Sequence, residues 1–466
     1  MENISKELNY SPVVNNHSSI VYRFVSPQAG GNVSLNASSP VGPTEFLIPP
    51  SCWIPELTKL NFSISVPAQA AKANFINGNL LSCIDRITVY DTATSNVVLD
   101  CSNFHKYVAL TSPAATKLDE YLTKPVLTTV TPATAALSNP FPVEEISKSN
   151  ISTVNDNPIN TDMGPFNPLL GRRQYYVGAA PGVTLVNVSI PFKAFKLTAL
   201  SSNKIWYSPS SLVVQVYFSA VSNFVHIATA ITDPMTGGAA VVGTVTIGSP
   251  QLVLANEGNL AIVSQVINKV MSGGGIQLPI AYPTVVQTTT TASTSNSFQY
   301  QLTRGYGNRI LALITAPFYN DAAPVDAGTT FAAQNWHPRY VAQYNTFLNN
   351  VAIRSQAGFV GQSSTLAATD YGIGQYPYLE GSVIQNIYEY ANGEFVHIDG
   401  FFGNKSLHSV DQHQVDGLDV TAQSSTWQWV ATTLQNATPA DQSFRYFTAI
   451  IGQKTMTLSA QGVMVQ

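Results

Sequence analysis

Short runs of β-branched and aromatic residues, apolar at alternate positions, recur along the chain, and no long helical repeats separate them. The clearest are Leu60-Asn61-Phe62-Ser63-Ile64-Ser65-Val66, Ile84-Asp85-Arg86-Ile87-Thr88-Val89-Tyr90 and Leu212-Val213-Val214-Gln215-Val216-Tyr217-Phe218. Others are Val183 to Ile190, Ser297 to Leu302, Asn308 to Ile314, Phe444 to Ile451 and Met456 to Ala460. Successive side chains of a strand point to opposite faces, so each run offers one face to a core and one to solvent or a partner. Parallel sheets need long crossovers between strands, usually helices. These runs are closed instead by Gly, Pro, Asn or Asp, which predicts antiparallel sandwiches.

With 466 residues the chain exceeds what one core grows to, so two domains of about 200 residues each are expected. The strand candidates fall into two consecutive blocks of similar length, separated by ITDPMTGGAA. We expect an N-terminal jelly roll over 1–227, a linker over 228–248 and a C-terminal jelly roll over 249–466. The expected fold class is all-β: two tandem eight-stranded antiparallel jelly rolls with long loops and few short helices. One helix is predicted where Leu260, Val263, Ile267, Val270 and Met271 fall at helical spacing, with Gly273-Gly274-Gly275 as its C-cap and turn. Between about 111 and 170 the alternation loosens into what reads as long loops, which in compact domains usually serve function or contact. Thr288 to Ser297 reads as a Ser/Thr-rich spacer.

Composition narrows the function. Charged residues make up 10% of the chain, against roughly 25% in ordinary soluble domains. Large protein–protein contacts deplete charge because burying it unpaired is costly, so the composition fits a subunit of an assembly. Net charge is −4 and the longest basic run is Arg172-Arg173, so no direct nucleic-acid binding is expected. The N-terminal MENISKELNYSPVV has no apolar core of signal-peptide length, and no apolar stretch approaches 18 residues. Synthesis in the cytoplasm or nucleus, with no secretion and no transmembrane segment, is the expectation. Cys52, Cys83 and Cys101 are odd in number and lack CxxC spacing, so they read as buried free thiols. Sequons such as Asn32-Val-Ser34 and Asn187-Val-Ser189 carry no weight without a secretory signal.

The order of the pieces carries a resemblance. EFLIPPSCWIPELTKLNFSISV is followed by NLLSCIDRITVYDTATSNVVLDCSNFHKYVAL, which supplies a strand, a short turn, a second strand and an aromatic tail. In the second half QLVLANEGNLAIVSQVINKVMSGGGIQLPIAYPTVVQ precedes the spacer and FQYQLTRGYGNRILALIT, and Val415-Asp416-Gly417-Leu418-Asp419 precedes a final strand pair. This arrangement resembles the double jelly-roll major capsid proteins of polinton-like viruses and virophages, and more distantly those of larger double-stranded DNA viruses with icosahedral shells. The resemblance covers most of the chain and rests on pattern and order. It implies a non-enzymatic shell protein of the virion: two jelly rolls side by side, homotrimeric pseudo-hexameric capsomers, and neighbouring capsomers and minor capsid or penton proteins as partners.

Several residues of chemically capable types also have a plain packing or solvent role. His397, Asp399, His408, Asp411, His413, Asp416 and Asp419 are of metal-ligating types found in jelly-roll enzymes. His-x-Asp is short and common, and the other spacings match no defined site, so the segment reads as a solvated loop. Asn335-Trp336-His337-Pro338-Arg339-Tyr340 reads as a subunit contact anchored by Trp336 and Tyr340, with a glycan or partner loop as the alternative. Asp119-Glu120 and Glu144-Glu145 are adjacent pairs, and glycosidase carboxylates need opposed placement. No Gly-x-Ser-x-Gly elbow and no phosphate loop is present. The expected catalytic, cofactor-binding and metal residues are therefore none, and no cofactor is expected. The alternatives are a receptor- or glycan-binding fibre or adhesin, a minor capsid protein, and a jelly-roll enzyme that would need metal at His397 to His413.

Overall fold

A computed structural model describes residues 18–67, 73–77, 83–111, 126–131, 174–176, 184–195, 197–228, 238–239, 243–290, 295–319, 343–355, 397–401, 417–432 and 444–466. Every strand pair among these residues is antiparallel. The strands form two sandwiches.

In the first, one sheet runs Trp206–Tyr207, Cys52–Trp53, Thr246–Glu257, Lys59–Val66, Thr184–Pro191, Val126–Thr131, with Ile20–Val25 and Val33–Ser34 also on Thr246–Glu257. A second sheet runs Val41–Ile48, Leu212–Phe218, Ile84–Asp91, Val97–Cys101. A third runs Gln174–Tyr176, Ala73–Asn77, Val225–Ala228, Gly238–Ala239. Alternation explains how the first two sheets meet. Leu60, Phe62, Ile64 and Val66 are buried on one face of their strand, as are Leu212, Val214, Val216 and Phe218 on theirs. The Phe62 and Phe218 rings meet edge-on at 5.7 Å across the sandwich.

In the second sandwich, Ile276–Thr290, Phe444–Ser459, Arg309–Tyr319 and His397–Gly400 form one sheet, extended by Leu418–Asp419 and Gly462–Val465. The facing sheet runs Ser295–Leu302, Ser425–Thr432, Gln343–Leu348, Val351–Ser355. An aromatic cluster fills the space between them: Phe298 lies 5.0 Å from Tyr446, and Tyr300 stacks on Trp427 at 5.9 Å with an interplanar angle of 1°.

Three expectations change in detail. Residues 249–257, assigned to the second block, belong to Thr246–Glu257, which pairs only with first-block strands among the described residues. No sheet among the described residues mixes strands before Gly258 with strands after Gly275. Val126–Thr131 is a strand on Thr184–Pro191 inside the region read as long loops; its VLTTVT is short and isolated by Pro125 and Pro132, so it gives no periodic signal of its own. The spacer from Thr288 is strand up to Thr290 and strand again from Ser295.

Two α-helices are described, α1 (Phe104–Thr111) and α2 (Leu260–Met271). Helix α2 lies where predicted, with the Asn259 side chain accepting from the Ala261 amide at 3.0 Å as N-cap. Gly273 and Gly275 after it have φ of +85° and +62°, the left-handed backbone that ends helices and favours glycine. Among the described residues no helix is long and apolar enough to cross a membrane.

Candidate assembly surfaces and the seam between the sandwiches

The two sandwiches share one continuous cluster of buried side chains, which runs from Leu35 to Val463. Helix α1 is wedged into the seam, against Ile84–Asp91 of its own sandwich and Ile276–Thr290, Arg309–Tyr319 and Phe444–Ser459 of the other. Phe104, Tyr107 and Leu110 recur at spacing three and are buried. Phe104 packs on Phe195 at 5.2 Å. Lys106, 3% exposed, places its ammonium 5.4 Å from the centre of the Phe447 ring in the second sandwich. Nearby, burial and the charge of Asp100 across the seam push the Tyr282 phenol up to about 12.

Asp91 ends its strand at the seam and is fully buried. Its Oδ1 accepts from the amides of Ala93 at 2.8 Å and Thr94 at 3.1 Å. Its Oδ2 accepts from Ser208 Oγ at 3.1 Å, Ser210 Oγ at 2.6 Å and the Val463 amide at 3.0 Å. Burial alone would raise the carboxyl, but these donors outweigh it and hold it below its usual range. Glu257 stands at the exit from the first sandwich, accepting from Ser18 Oγ at 2.5 Å and the amides of Ser19 at 2.9 Å and Asn259 at 2.8 Å. Burial opposes its ionisation too, and the same kind of donors lower its pKa.

Among the described residues, apolar side chains are exposed on edge strands. Ile20–Val25 pairs with Thr246–Glu257 on one side and, among the described residues, with no strand on the other. Val21, Tyr22 and Phe24 on it are 54%, 50% and 65% exposed. Val351, 69% exposed, opens the edge strand Val351–Ser355 of the second sandwich. Leu260 and Met271, at the two ends of α2, are exposed as well. Long edges with aromatic side chains invite pairing with another chain, which proteins that stay monomeric suppress with charge, proline or cover.

The residues weighed for chemistry divide between structural roles and positions outside the described residues. Asp399 lies in the strand His397–Gly400, is 1% exposed, and accepts from Trp427 Nε1 at 2.7 Å and Thr346 Oγ1 at 3.4 Å. Asp419 accepts from Thr421 Oγ1 at 2.6 Å and lies 3.6 Å from Arg309. His408, Asp411, His413 and Asp416 lie outside the described residues, as do Asn335 to Tyr340, Asp119-Glu120, Glu144-Glu145 and Arg172-Arg173. Among the described residues no group of three or more His, Cys, Asp or Glu is placed to hold a metal. Cys52, Cys83 and Cys101 are free and buried, as the sequence predicts. Sequence reasoning missed Asp91 and the exposed edge at Tyr22 and Phe24. Asp91 is legible only as the last residue of a strand before a Thr-Ala-Thr turn, a weak signal.

No protein-family model and no curated protein matches the chain. Among solved structures, the crystal structure of the mavirus major capsid protein aligns with 100% of this chain and 95% of its own length, at 10% identity and a TM-score of 0.52. The chain has the double jelly-roll fold. A chain of the Sputnik virophage, solved by electron cryo-microscopy, aligns with 100% of this double jelly roll and 92% of its own length, at 11% identity and a TM-score of 0.47. In this fold the seam joins the two jelly rolls, and the edges at Tyr22, Phe24 and Val351 lie on their flanks.

Proposed function

We propose that this chain is a major capsid protein, which trimerises into pseudo-hexameric capsomers that tile an icosahedral viral shell. The observation that carries the reading is a double jelly roll that aligns over 95% of the mavirus major capsid protein and whose two halves share one cluster of buried side chains. Three copies of a subunit with two similar lobes present six lobes around one axis, which suits hexagonal tiling. Exposed apolar edges at Tyr22, Phe24 and Val351 supply area for burial between copies, at about 25 cal/mol per Å². Charged residues at 10% of the chain suit surfaces covered in an assembly.

On this reading the protein is a structural component of the virion with no enzymatic role, and its partners are copies of itself and minor capsid or penton proteins. Negative-stain imaging of the purified full chain tests it. Particles with hexagonal outlines, or shells built from them, are the expected result. A field of separate two-lobed particles at every concentration would contradict it.

A further inference from the structure

The last strand of the chain, Gly462–Val465, turns back on Phe444–Ser459 in a hairpin, with Leu458 opposite Val463 and Ser459 opposite Gly462. Its other edge faces the first jelly roll. There the Val463 amide donates to Asp91 Oδ2 at 3.0 Å, and Thr94 Oγ1 donates to the Val463 carbonyl at 3.2 Å. One turn of the first jelly roll thus satisfies both outward backbone groups of a residue 372 positions further along the chain. Val463 and Asp91 are both fully buried, so neither has water as an alternative partner.

Gly462 makes the approach possible. Its φ is +112°, and a Cβ built there would stand 2.9 Å from Asp91 Oδ2 and 3.0 Å from Thr94 Cγ2. Asp91 in turn is held from its own side by Ser208, Ser210, Ala93 and Thr94, so it presents a fixed acceptor to the incoming strand. Elsewhere the seam is the packing of α1 and of Val97–Cys101 against strands of the second jelly roll. Such packing tolerates small sliding, whereas a backbone donor and acceptor gripped together fix register.

We propose that Asp91, Thr94 and the Gly462–Val465 strand form a latch that locks the two jelly rolls in one orientation and makes them open as a single cooperative unit. Locking of this kind would keep the two lobes of each subunit at a constant angle, whether or not the subunit builds a shell. The inference rests on the fold and its seam and stands apart from the capsid reading.

Hydrogen exchange on the full chain tests it, read on peptides covering 92–96 and 462–466. Asp91→Ala and, from the opposite side, Gly462→Ala are compared with Asp399→Ala, which removes a buried acceptor of Trp427 away from the latch. Thr94→Val is the milder variant should Asp91→Ala fail to fold. The latch predicts that exchange at 462–466 rises by roughly tenfold or more in each latch variant, with the Asp399→Ala hairpin unchanged. Wild-type protection of 462–466 in the latch variants, or equal loss of it in Asp399→Ala, would overturn the proposal.

Discussion

Cys52, Cys83 and Cys101 sit in the first jelly roll with 4% exposure or less. Burial raises all three thiols, and Cys52, next to the negative charge of Glu257, is pushed up to about 11. The thiolate is the reactive form, so the native protein should show no fast-reacting thiol toward a disulfide reagent at pH 8, and all three should react after unfolding. A fast-reacting thiol in the native protein would contradict the packing. Asp91 and Glu257 set the acid behaviour. Both carboxyls titrate lower in the folded chain than in the unfolded one. Their contribution is therefore complete above the ordinary carboxylate pKa of about 4 and is lost as pH falls through the lowered native values. Melting temperature should drop steeply below about pH 4, and Asp91→Asn with Glu257→Gln should flatten that limb while lowering stability at pH 7. An unchanged acid limb in the double variant would contradict the assignment. Asp399 shows what residue types alone leave open. His-x-Asp reads as metal chemistry or as loop, and only the strand register reveals a carboxylate accepting the Trp427 N–H.

Strands were legible where the period-two signal was strong. The runs around Leu60, Ile84, Leu212 and Arg309 became strands because their alternate residues meet a facing sheet. Val126–Thr131 gave no such signal, since three Thr in six residues blur the alternation. Thr246–Glu257 was readable as a strand but not in its allegiance, because pairing over a separation of almost two hundred residues leaves no local trace. The exposed edge Ile20–Val25 was missed for a related reason: an edge is defined by the neighbour it lacks, and the sequence does not print neighbours. This edge carries the prediction at the scale of elements. Phe24, 65% exposed, contributes little to the fold of one subunit, so Phe24→Lys should leave the subunit's secondary structure unchanged. It should weaken self-association at least tenfold in sedimentation, as burying an unpaired charge at a contact does. Self-association equal to wild type would exclude the edge from the contact.

At the scale of the whole molecule, two lobes share a common core, the chain is short of charge, and among the described residues its sheets have edges with no strand partner. A body of this kind is stable in water when copies cover one another. The double jelly-roll fold was legible because two blocks of strand signals without helical repeats leave few architectures open. How the lobes grip each other was not legible, since Asp91 and Val463 are joined only by the completed fold. The mass of the purified full chain in solution, by light scattering at micromolar concentration, tests the central claim most directly. The account predicts a trimer near three times 50.0 kDa. A compact species that stays at 50.0 kDa as concentration rises would contradict it.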